Sequence, residues 1–415
     1  MYSIYPKNDR NYDDIDINSG FIDFCTFSRG ASAMIFFSVK PRLCCISLTW
    51  FACGLSFGFM NSVVKDIAVL GAGVMGLSAA YACAKAGHKV RIFDPDGFPA
   101  KRSASYVAGG MLAPYAEIEH MGGRWIDAGF AGIGFWEDFS KGRDIGFKRA
   151  GSLLIAHRED AHVLQRFKGH LEEVLACAQE LTPVEALEPE LAERFKAGLY
   201  LEGEAQVHPV DTMSALVGAL QELGADLITD WAEPEKIEAD LIIDARGMGS
   251  SDEALRGVKG ELLIVHNKEF SLSRPVRLMH PRYPLYIVPR GEGVFMIGAT
   301  QVESTGCGVS LRSAMELMSA LYSLHPSFGD ADVTRIKSGV RPAYGDNLPR
   351  IKRAGRVVSC NGMFRHGFLL APVMADIVRG MASGERAEFY DLFVKEENYD
   401  ASNSERGGEA LRGAA

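Results

Sequence analysis

The sequence has few of the features that mark metal-binding, disulfide-bonded or nucleic-acid-binding proteins. Its eight cysteines form no C-x-x-C pair and no regular framework. This pattern is typical of free thiols in a reducing compartment, so we predict a cytoplasmic protein without a metal site. The net charge of −9, with no stripe of Lys and Arg, argues against nucleic-acid binding. The 415 residues show no internal repeat and are 47% hydrophobic, which favours a soluble globular protein with two domains or one large two-part fold.

The first 62 residues differ in composition from the remainder. Residues 43–60 carry no charge over eighteen positions, which is near the lower limit for a membrane span. Three interpretations stay open: a membrane anchor, a targeting segment, or a translated leader upstream of a natural start at Met60. We favour the leader, because the first strand of the body begins a few residues after Met60. The extension 1–62 is therefore left out of the fold, and the end at 396–415 is predicted to be disordered.

A glycine-rich turn is the most informative feature of the body. The run DIAVLGAGVMG at 66–76 reads as an apolar strand, a turn and the start of a helix, and a second strand ends at Asp94. Gly71 allows the tight turn, Gly73 leaves room for a pyrophosphate, and Gly76 lets the helix pack closely on the strand. The helix N-terminus offers N–H groups to phosphates, and Asp94 can accept hydrogen bonds from a ribose. The pattern predicts a dinucleotide-binding unit, and by itself it leaves NAD and FAD open.

The order of the predicted elements favours FAD. Strands typical of an antiparallel sheet, such as 259–266 and a hairpin at 286–299, follow the nucleotide-binding unit, and a strand–glycine–helix unit returns at 356–381. The apolar run at 239–247 is expected to rejoin the first sheet. We therefore predict an α/β fold in which an FAD-binding Rossmann-like domain is interleaved with an antiparallel-sheet substrate domain. The predicted oxidoreductase spans 63–395, with FAD-binding parts at 63–150, 203–250 and 335–395 and substrate parts at 151–202 and 251–334.

Five segments together resemble a known family. They are GAGVMG at 71–76 with Asp94, AGGMLAP at 108–114, HPRYPLYIVPRGEGVFMIGAT at 280–300, SGVRPAYGDNLPRI at 338–351 and NGMFRHGFLLAP at 361–372. On these segments the chain resembles the FAD-dependent glycine oxidases of thiamine biosynthesis, within the D-amino-acid oxidase family. The resemblance covers about residues 64–395.

The resemblance implies which residues hold the cofactor and the substrate. Those expected at the FAD are Gly71, Gly73, Val74, Met75, Gly76, Asp94, Ala104, Ser105, Gly109, Gly110, Met111, Met363, Phe364, Arg365, His366, Gly367, Phe368 and Leu369. Those expected at the substrate are Tyr286, Arg341, Arg365 and Met111. No catalytic acid or base is implied, because the flavin itself accepts the hydride, and these motifs offer no obvious His or carboxylate partner.

The chemistry of an amino-acid oxidase agrees with an arginine clamp. The planar fork of Arg341 can form two parallel charge-assisted hydrogen bonds with a substrate carboxylate, and the phenol of Tyr286 can add a donor. Structural alternatives stay open: a surface ion pair for Arg341, a core aromatic for Tyr286, and a clamp beside the flavin for Arg365. His366 is expected to pack in its loop rather than act as a base, and Met111 to form a pocket wall.

The implied activity is oxidative deamination of glycine to the imino acid, with O₂ reduced to H₂O₂ and the imine supplying thiazole synthesis. Expected partners are glycine, O₂ and the thiazole-synthesis enzymes, and a homo-oligomer is a further expectation. Alternatives are an oxidase or dehydrogenase for D-amino acids or sarcosine, a flavin-binding module without turnover, and, if 43–60 is a true span, a membrane-linked dehydrogenase that reduces quinone.

Three local features bear on how FAD is held. The stretch 343–346 contains no cysteine, whereas covalent relatives use one in this region, so we predict non-covalent FAD. The segment 230–240 is short compared with relatives, which leaves the adenine contact near Ala232 unplaced. Arg246 adds a charge near the cofactor or at a domain surface.

Overall fold

The computed structural model describes residues 63–118, 122–281 and 284–395. The predictions for the extension 1–62 and the tail 396–415 lie outside the described residues. Within the described ranges, no helix combines the length and apolar character that crossing a membrane requires. The cysteines in these ranges, Cys83, Cys177, Cys307 and Cys360, carry free thiols.

The described residues form seventeen strands and seven helices. The strands are β1 (Asp66–Leu70), β2 (Lys89–Phe93), β3 (Met111–Leu112), β4 (Ser152–Ile155), β5 (Leu181–Pro183), β6 (Ala197–Leu201), β7 (Ala205–Gln206), β8 (Asp226–Ile228), β9 (Leu241–Asp244), β10 (Arg256–His266), β11 (Val276–Leu278), β12 (Leu285–Gly291), β13 (Val294–Gly298), β14 (Val302–Glu303), β15 (Asp332–Ala343), β16 (Arg350–Ala354) and β17 (Val357–Asn361). The helices are α1 (Val74–Lys85), α2 (Arg124–Phe139), α3 (Ala161–Leu175), α4 (Pro209–Glu222), α5 (Leu311–Leu324), α6 (Gly367–Ser383) and α7 (Tyr390–Phe393).

A six-stranded sheet holds the glycine-rich turn at its centre. Its order is β16-β17-β9-β1-β2-β8, and every pair is parallel except β16 with β17. β1 lies between β9 and β2, and Ile67 and Val69 are fully buried, as an apolar strand covered on both faces requires. α1 packs against α4 and α6. The prediction that the run at 239–247 rejoins this sheet is confirmed by β9.

A nine-stranded sheet forms the second layer of strands and is not wholly antiparallel. Its order is β14-β10-β13-β12-β11-β4-β6-β5, and β15 also pairs with β10. β12 and β13 form the predicted hairpin. β4 and β11 pair in parallel, which is possible because a long stretch of chain between them provides the crossover that parallel strands need.

The chain passes from the nine-stranded sheet to the six-stranded sheet after the strand β15. This strand pairs with β10 from Asp332 to Ala343. The expected domain boundary at 335 therefore falls inside a strand of the nine-stranded sheet, and the chain returns to the six-stranded sheet at β16. The VRP motif from which that boundary was drawn lies at the end of the strand.

We predict that Gly76→Ala destabilises the protein by about 3 kcal/mol, because overpacking against rigid backbone is costly. A Cβ at Gly76 would lie 1.8 Å from the carbonyl oxygen of Gly71. Gly218→Ala is the matched control, because a Cβ there meets nothing within 4 Å inside α4. Urea unfolding followed by circular dichroism measures both variants. Equal stability of the two would show that the helix does not depend on this close approach.

Candidate active site

The turn between β1 and α1 is built as the sequence predicted. Gly71 has φ +98°, and a Cβ there would lie 2.6 Å from the carbonyl oxygen of Ala245. Oδ2 of Asp94 accepts a hydrogen bond from the Ala72 N–H at 2.7 Å, which ties the end of β2 to the turn. The first turn of α1 contains no acidic residue, so its N-terminus keeps the positive field that attracts an anion.

A cavity of about 890 Å³ opens beside this turn, within the usual size range of cofactor sites. All but one of the expected cofactor and substrate residues line it. These are Gly71, Gly73, Val74, Met75, Asp94, Ala104, Ser105, Gly109, Gly110, Met111, Tyr286, Arg341, Met363, Phe364, Arg365, His366, Gly367, Phe368 and Leu369. Gly76 does not line the cavity; it serves the helix packing instead.

The loop at Gly109 and Gly110 is held close to the substrate residues. A Cβ on Gly109 would lie 2.6 Å from Cε of Met296 and 3.2 Å from the Tyr286 ring, so a side chain would fit only if Met296 moved. Arg290 donates hydrogen bonds to the carbonyl oxygens of Gly109 and Val207. Burial lowers the pKa of Arg290 to about 10, so it remains charged at neutral pH. Sequence analysis did not single out Arg290, although it lies in the segment at 280–300 that carries the family resemblance.

Arg341 points from β15 into the cavity beside Tyr286. A Cβ on Gly260 of the paired strand would lie 2.2 Å from Nη2 of Arg341, so the guanidinium occupies the space that a side chain would take. Nη1 donates to the carbonyl oxygen of Thr300 at 3.2 Å, and Tyr286 lines the same part of the cavity as Arg341. Burial lowers the pKa of Arg341. Among the described residues no carboxylate forms an ion pair with it, so the surface alternative for Arg341 does not match this geometry.

Glu261 fixes the backbone that holds Arg341. It is fully buried and accepts hydrogen bonds from the Thr300 hydroxyl at 2.9 Å and the Ser310 N–H at 2.8 Å, while Lys259 Nζ lies 2.9 Å away. Burial alone would raise its pKa, but the hydrogen bonds outweigh burial and lower the pKa of Glu261 to about 2. The carboxylate therefore stays ionised and keeps the Thr300 carbonyl aimed at Arg341.

Arg365 has an acidic partner that the motifs did not reveal. Its Nη2 lies 2.9 Å from Oε1 of Glu117, and both residues line the cavity. This carboxylate lies outside the motifs, within which the sequence offers no obvious acidic partner. Glu117 lies three residues after the AGGMLAP segment, and only the fold brings it to the NGMFRHG loop. The clamp alternative for Arg365 and a substrate role are both compatible with this pair.

Glu204 supports the backbone next to Glu117. It is fully buried, and Oε1 accepts hydrogen bonds from the N–H groups of Tyr115 at 2.8 Å and Ala116 at 2.9 Å, while the Ser152 hydroxyl donates to Oε2. Burial raises the pKa of Glu204 to about 7, although these hydrogen bonds oppose the rise. The pKa of Glu204 therefore lies near neutrality rather than at the ordinary value of 4.5.

A further part of the lining contains the residues that sequence analysis left unplaced. Trp231, Ala232 and Arg246 all border the cavity, as does Asp94. Arg246 forms a bidentate pair with Asp244 at 2.7 and 2.9 Å, and its guanidinium lies 5.5 Å from the Trp231 ring centroid. The charge that Arg246 brings to the cavity is therefore paired with an acid.

These features fit an FAD molecule. Close backbone contacts at Gly71 and Gly110 exclude side chains where a ligand must approach, since a Cβ on Gly110 would lie 2.2 Å from the Val207 carbonyl oxygen. The N-terminus of α1 suits a pyrophosphate, and Asp94 suits a ribose. Within the described ranges, no cluster of His, Cys, Asp or Glu could hold a metal ion.

We predict that Glu204→Gln changes the pH dependence of stability. The folded pKa of Glu204, about 7, lies above the ordinary value of 4.5, so its contribution to stability is present below pH 4.5 and is lost as pH rises through 7. The wild type should therefore lose about 3 kcal/mol from this group between pH 4.5 and 8, and the variant should not. The free energy of unfolding across this range measures the effect. Glu253→Gln, at an exposed site, is the control, and identical pH profiles would contradict a raised pKa.

Comparison with known proteins agrees with this geometry. The model of the FAD dependent oxidoreductase family, DAO, matches residues 66–381. A Rhizobium etli protein described as a putative thiamine biosynthesis oxidoreductase, ThiO, is 41% identical over 318 residues, which are 74% of this chain and 94% of that protein. A Bacillus licheniformis glycine oxidase is 29% identical, with 80% and 97% of the two chains covered. The crystal structure of glycine oxidase from Geobacillus kaustophilus superposes with a TM-score of 0.69 at 24% identity and covers 80% of this chain and 99% of its own. The chain therefore belongs to the DAO family of FAD-dependent oxidoreductases.

Proposed function

We propose that this protein is the glycine-oxidising enzyme of thiamine biosynthesis. It oxidises glycine to the imino acid, reduces O₂ to H₂O₂, and supplies the imine for thiazole formation. The coarser conclusion, an FAD-dependent amine oxidase, follows from family membership and from the relatives that are described as ThiO and glycine oxidase. The substrate and the product of O₂ reduction are the finer part of the proposal.

The observation that carries the proposal is the charge of Arg341 inside the cavity. A cation that is removed from water without an acidic partner favours an anionic ligand. One N–H of Arg341 is used by Thr300, and the guanidinium has further donors for a carboxylate. Tyr286, which lines the cavity together with Arg341, provides a phenolic oxygen for the same ligand. An α-amino acid held by these two groups would present its carboxylate to Arg341 and its α-carbon to the open cavity.

Different residues of the cavity lining suit different parts of FAD. The α1 N-terminus and Ser105 would hold the pyrophosphate, Asp94 the ribose, and the 363–369 loop the flavin. The flavin, when bound, accepts the hydride from the substrate and returns the electrons to O₂. The chain itself binds the carboxylate, orients the α-carbon and encloses the site. This account requires no general base from the cavity wall.

A second candidate activity is oxidation of sarcosine or a small D-amino acid by the same clamp. The Arg341–Tyr286 pair recognises a carboxylate and does not by itself distinguish these substrates. Gly109 and Tyr286 both line the cavity and lie close together, with 3.2 Å between a Cβ at Gly109 and the Tyr286 ring, and this closeness favours a small substrate.

Anaerobic mixing with glycine, sarcosine, D-alanine and D-proline tests the proposal through bleaching of the flavin absorbance. We expect glycine to bleach the flavin and air to restore the colour with release of H₂O₂. Arg341→Ala should raise the KM for glycine about 100-fold or more, because a charge-paired contact is lost. Arg335→Ala is the matched control, since Arg335 lies exposed on the same strand.

Three other outcomes would contradict part of the proposed function. Faster bleaching by sarcosine or a D-amino acid than by glycine would replace the substrate assignment. An absence of bleaching by every substrate would favour a flavin-binding module. An unchanged KM in Arg341→Ala would show that the carboxylate clamp is misassigned.

We further predict that acid precipitation releases FAD into the supernatant. Two of the described cysteines border the cavity, and burial raises the pKa of the Cys360 thiol, which disfavours the reactive thiolate. Cys307 is the exposed one of the pair. Yellow colour in the pellet would contradict non-covalent binding, and Cys307→Ser would then identify whether that thiol is the link.

A further inference from the structure

The helix α5 carries two apolar stripes, and only one of them faces its own core. Leu317, Leu321 and Leu324 are buried and pack in the core of the nine-stranded sheet. On another side of the helix, Leu311, Met315, Met318 and Tyr322 are exposed to 78, 59, 36 and 59%. We call these four residues the outer stripe. A helix of an ordinary globular protein covers such a surface with polar residues, so a second apolar stripe indicates a binding surface.

The apolar surface continues onto the neighbouring edge strand. Val333 and Ile336 of β15 are 44 and 41% exposed. Their register partners in β10 are Val265 and Leu263, which lie in the same core as the buried stripe of α5. Directly paired strand residues point to the same face of a sheet, so Val333 and Ile336 lie on the face that α5 covers. Among the described residues β15 pairs only with β10, so its other edge is open.

The outer stripe is symmetric along the chain. Its members are separated by four, three and four residues. A two-fold axis between Met315 and Met318 would set a second α5 antiparallel to the first, with Leu311 opposite Tyr322 and Met315 opposite Met318. Paired helices interlock their side chains at alternating spacings of four and three residues. In an interface between two identical surfaces, each residue must face the symmetry-related residue of the other copy, as this symmetric spacing allows.

The charges of α5 permit this pairing. The helix has one basic residue, Arg312, and one acidic residue, Glu316, so its net charge is zero. The chain as a whole carries −9, and most faces of two copies would therefore repel each other more than this one does. A strongly charged partner would find no complementary charge on this surface.

We propose that the outer stripe, with Val333 and Ile336, is the surface on which a second copy of this chain docks about a two-fold axis. The occupant is the same protein, with α5 antiparallel to its counterpart. The proposal is independent of the substrate assignment, because none of these residues lines the cavity.

The test uses the full flavin-loaded chain and measures mass by light scattering after gel filtration over a range of concentrations. Wild type should give a dimer or a larger even-numbered assembly. Met315→Lys and Met318→Glu should each lower the mass to half of the wild-type value and weaken association about 100-fold or more, because each places two charges in an apolar seam. Leu223→Lys, at another exposed apolar residue, should leave the mass unchanged.

Mixing the two variants tests the antiparallel register. In a mixed dimer the lysine introduced in one copy would face the glutamate introduced in the other, and the second Met315–Met318 pair would be intact, so the mixture should recover the dimer mass. Circular dichroism and flavin content would confirm that both variants are folded. A monomeric wild type would overturn the proposal and assign the surface to a different protein. Wild-type mass in Met315→Lys, or failure of the mixture to reassociate, would overturn the two-fold arrangement.

Discussion

The constraint on which the site depends is a buried guanidinium that faces the cavity without an acidic partner among the described residues. Arg341 can occupy this position only because Gly260 on the paired strand has no side chain and because the Thr300 carbonyl accepts one of its N–H groups. Glu261 in turn holds Thr300 and remains ionised through its own buried hydrogen bonds. Removing a cation from water is unfavourable, so the arrangement is balanced when an anionic ligand arrives. The packing around Arg341 therefore leaves its charge available to an anionic ligand.

The interleaved chain explains how two sheets contribute to one cavity. The six-stranded sheet provides the glycine-rich turn and Asp94, and the nine-stranded sheet provides Tyr286 and Arg341 from β12 and β15. The 363–369 loop then returns from the first sheet to complete the wall. Because β15 belongs to one sheet and β16 to the other, the site lies where the chain passes between them. Strands of the nine-stranded sheet carry Tyr286 and Arg341, which favours precise positioning of these two side chains.

Motifs predicted residues that the structure brings to one cavity, because each motif is local. The glycines, the helix N-terminus and Asp94 act through backbone geometry that a few consecutive residues determine. The residues that were missed act across the chain. Glu117 meets Arg365, Arg290 reaches Gly109, and Glu204 holds the Tyr115 N–H, in each case over more than eighty residues. The expected boundary at 335 falls inside β15 for a related reason, since strand pairing decides to which sheet β15 belongs.

The sequence alone therefore determined the fold class, the dinucleotide-binding turn and the FAD family. The fold class and the turn follow from hydrophobic periodicity and the placement of glycines, and the family follows from the five segments that resemble it. The tertiary structure decided which charges are compensated: Arg246 by Asp244, Arg365 by Glu117, and Arg341 by no acid among the described residues. It also decided that Glu204 titrates near neutrality and that α5 has an uncovered apolar side. Burial and long-range contact set these properties, and neither is encoded in any one stretch of sequence.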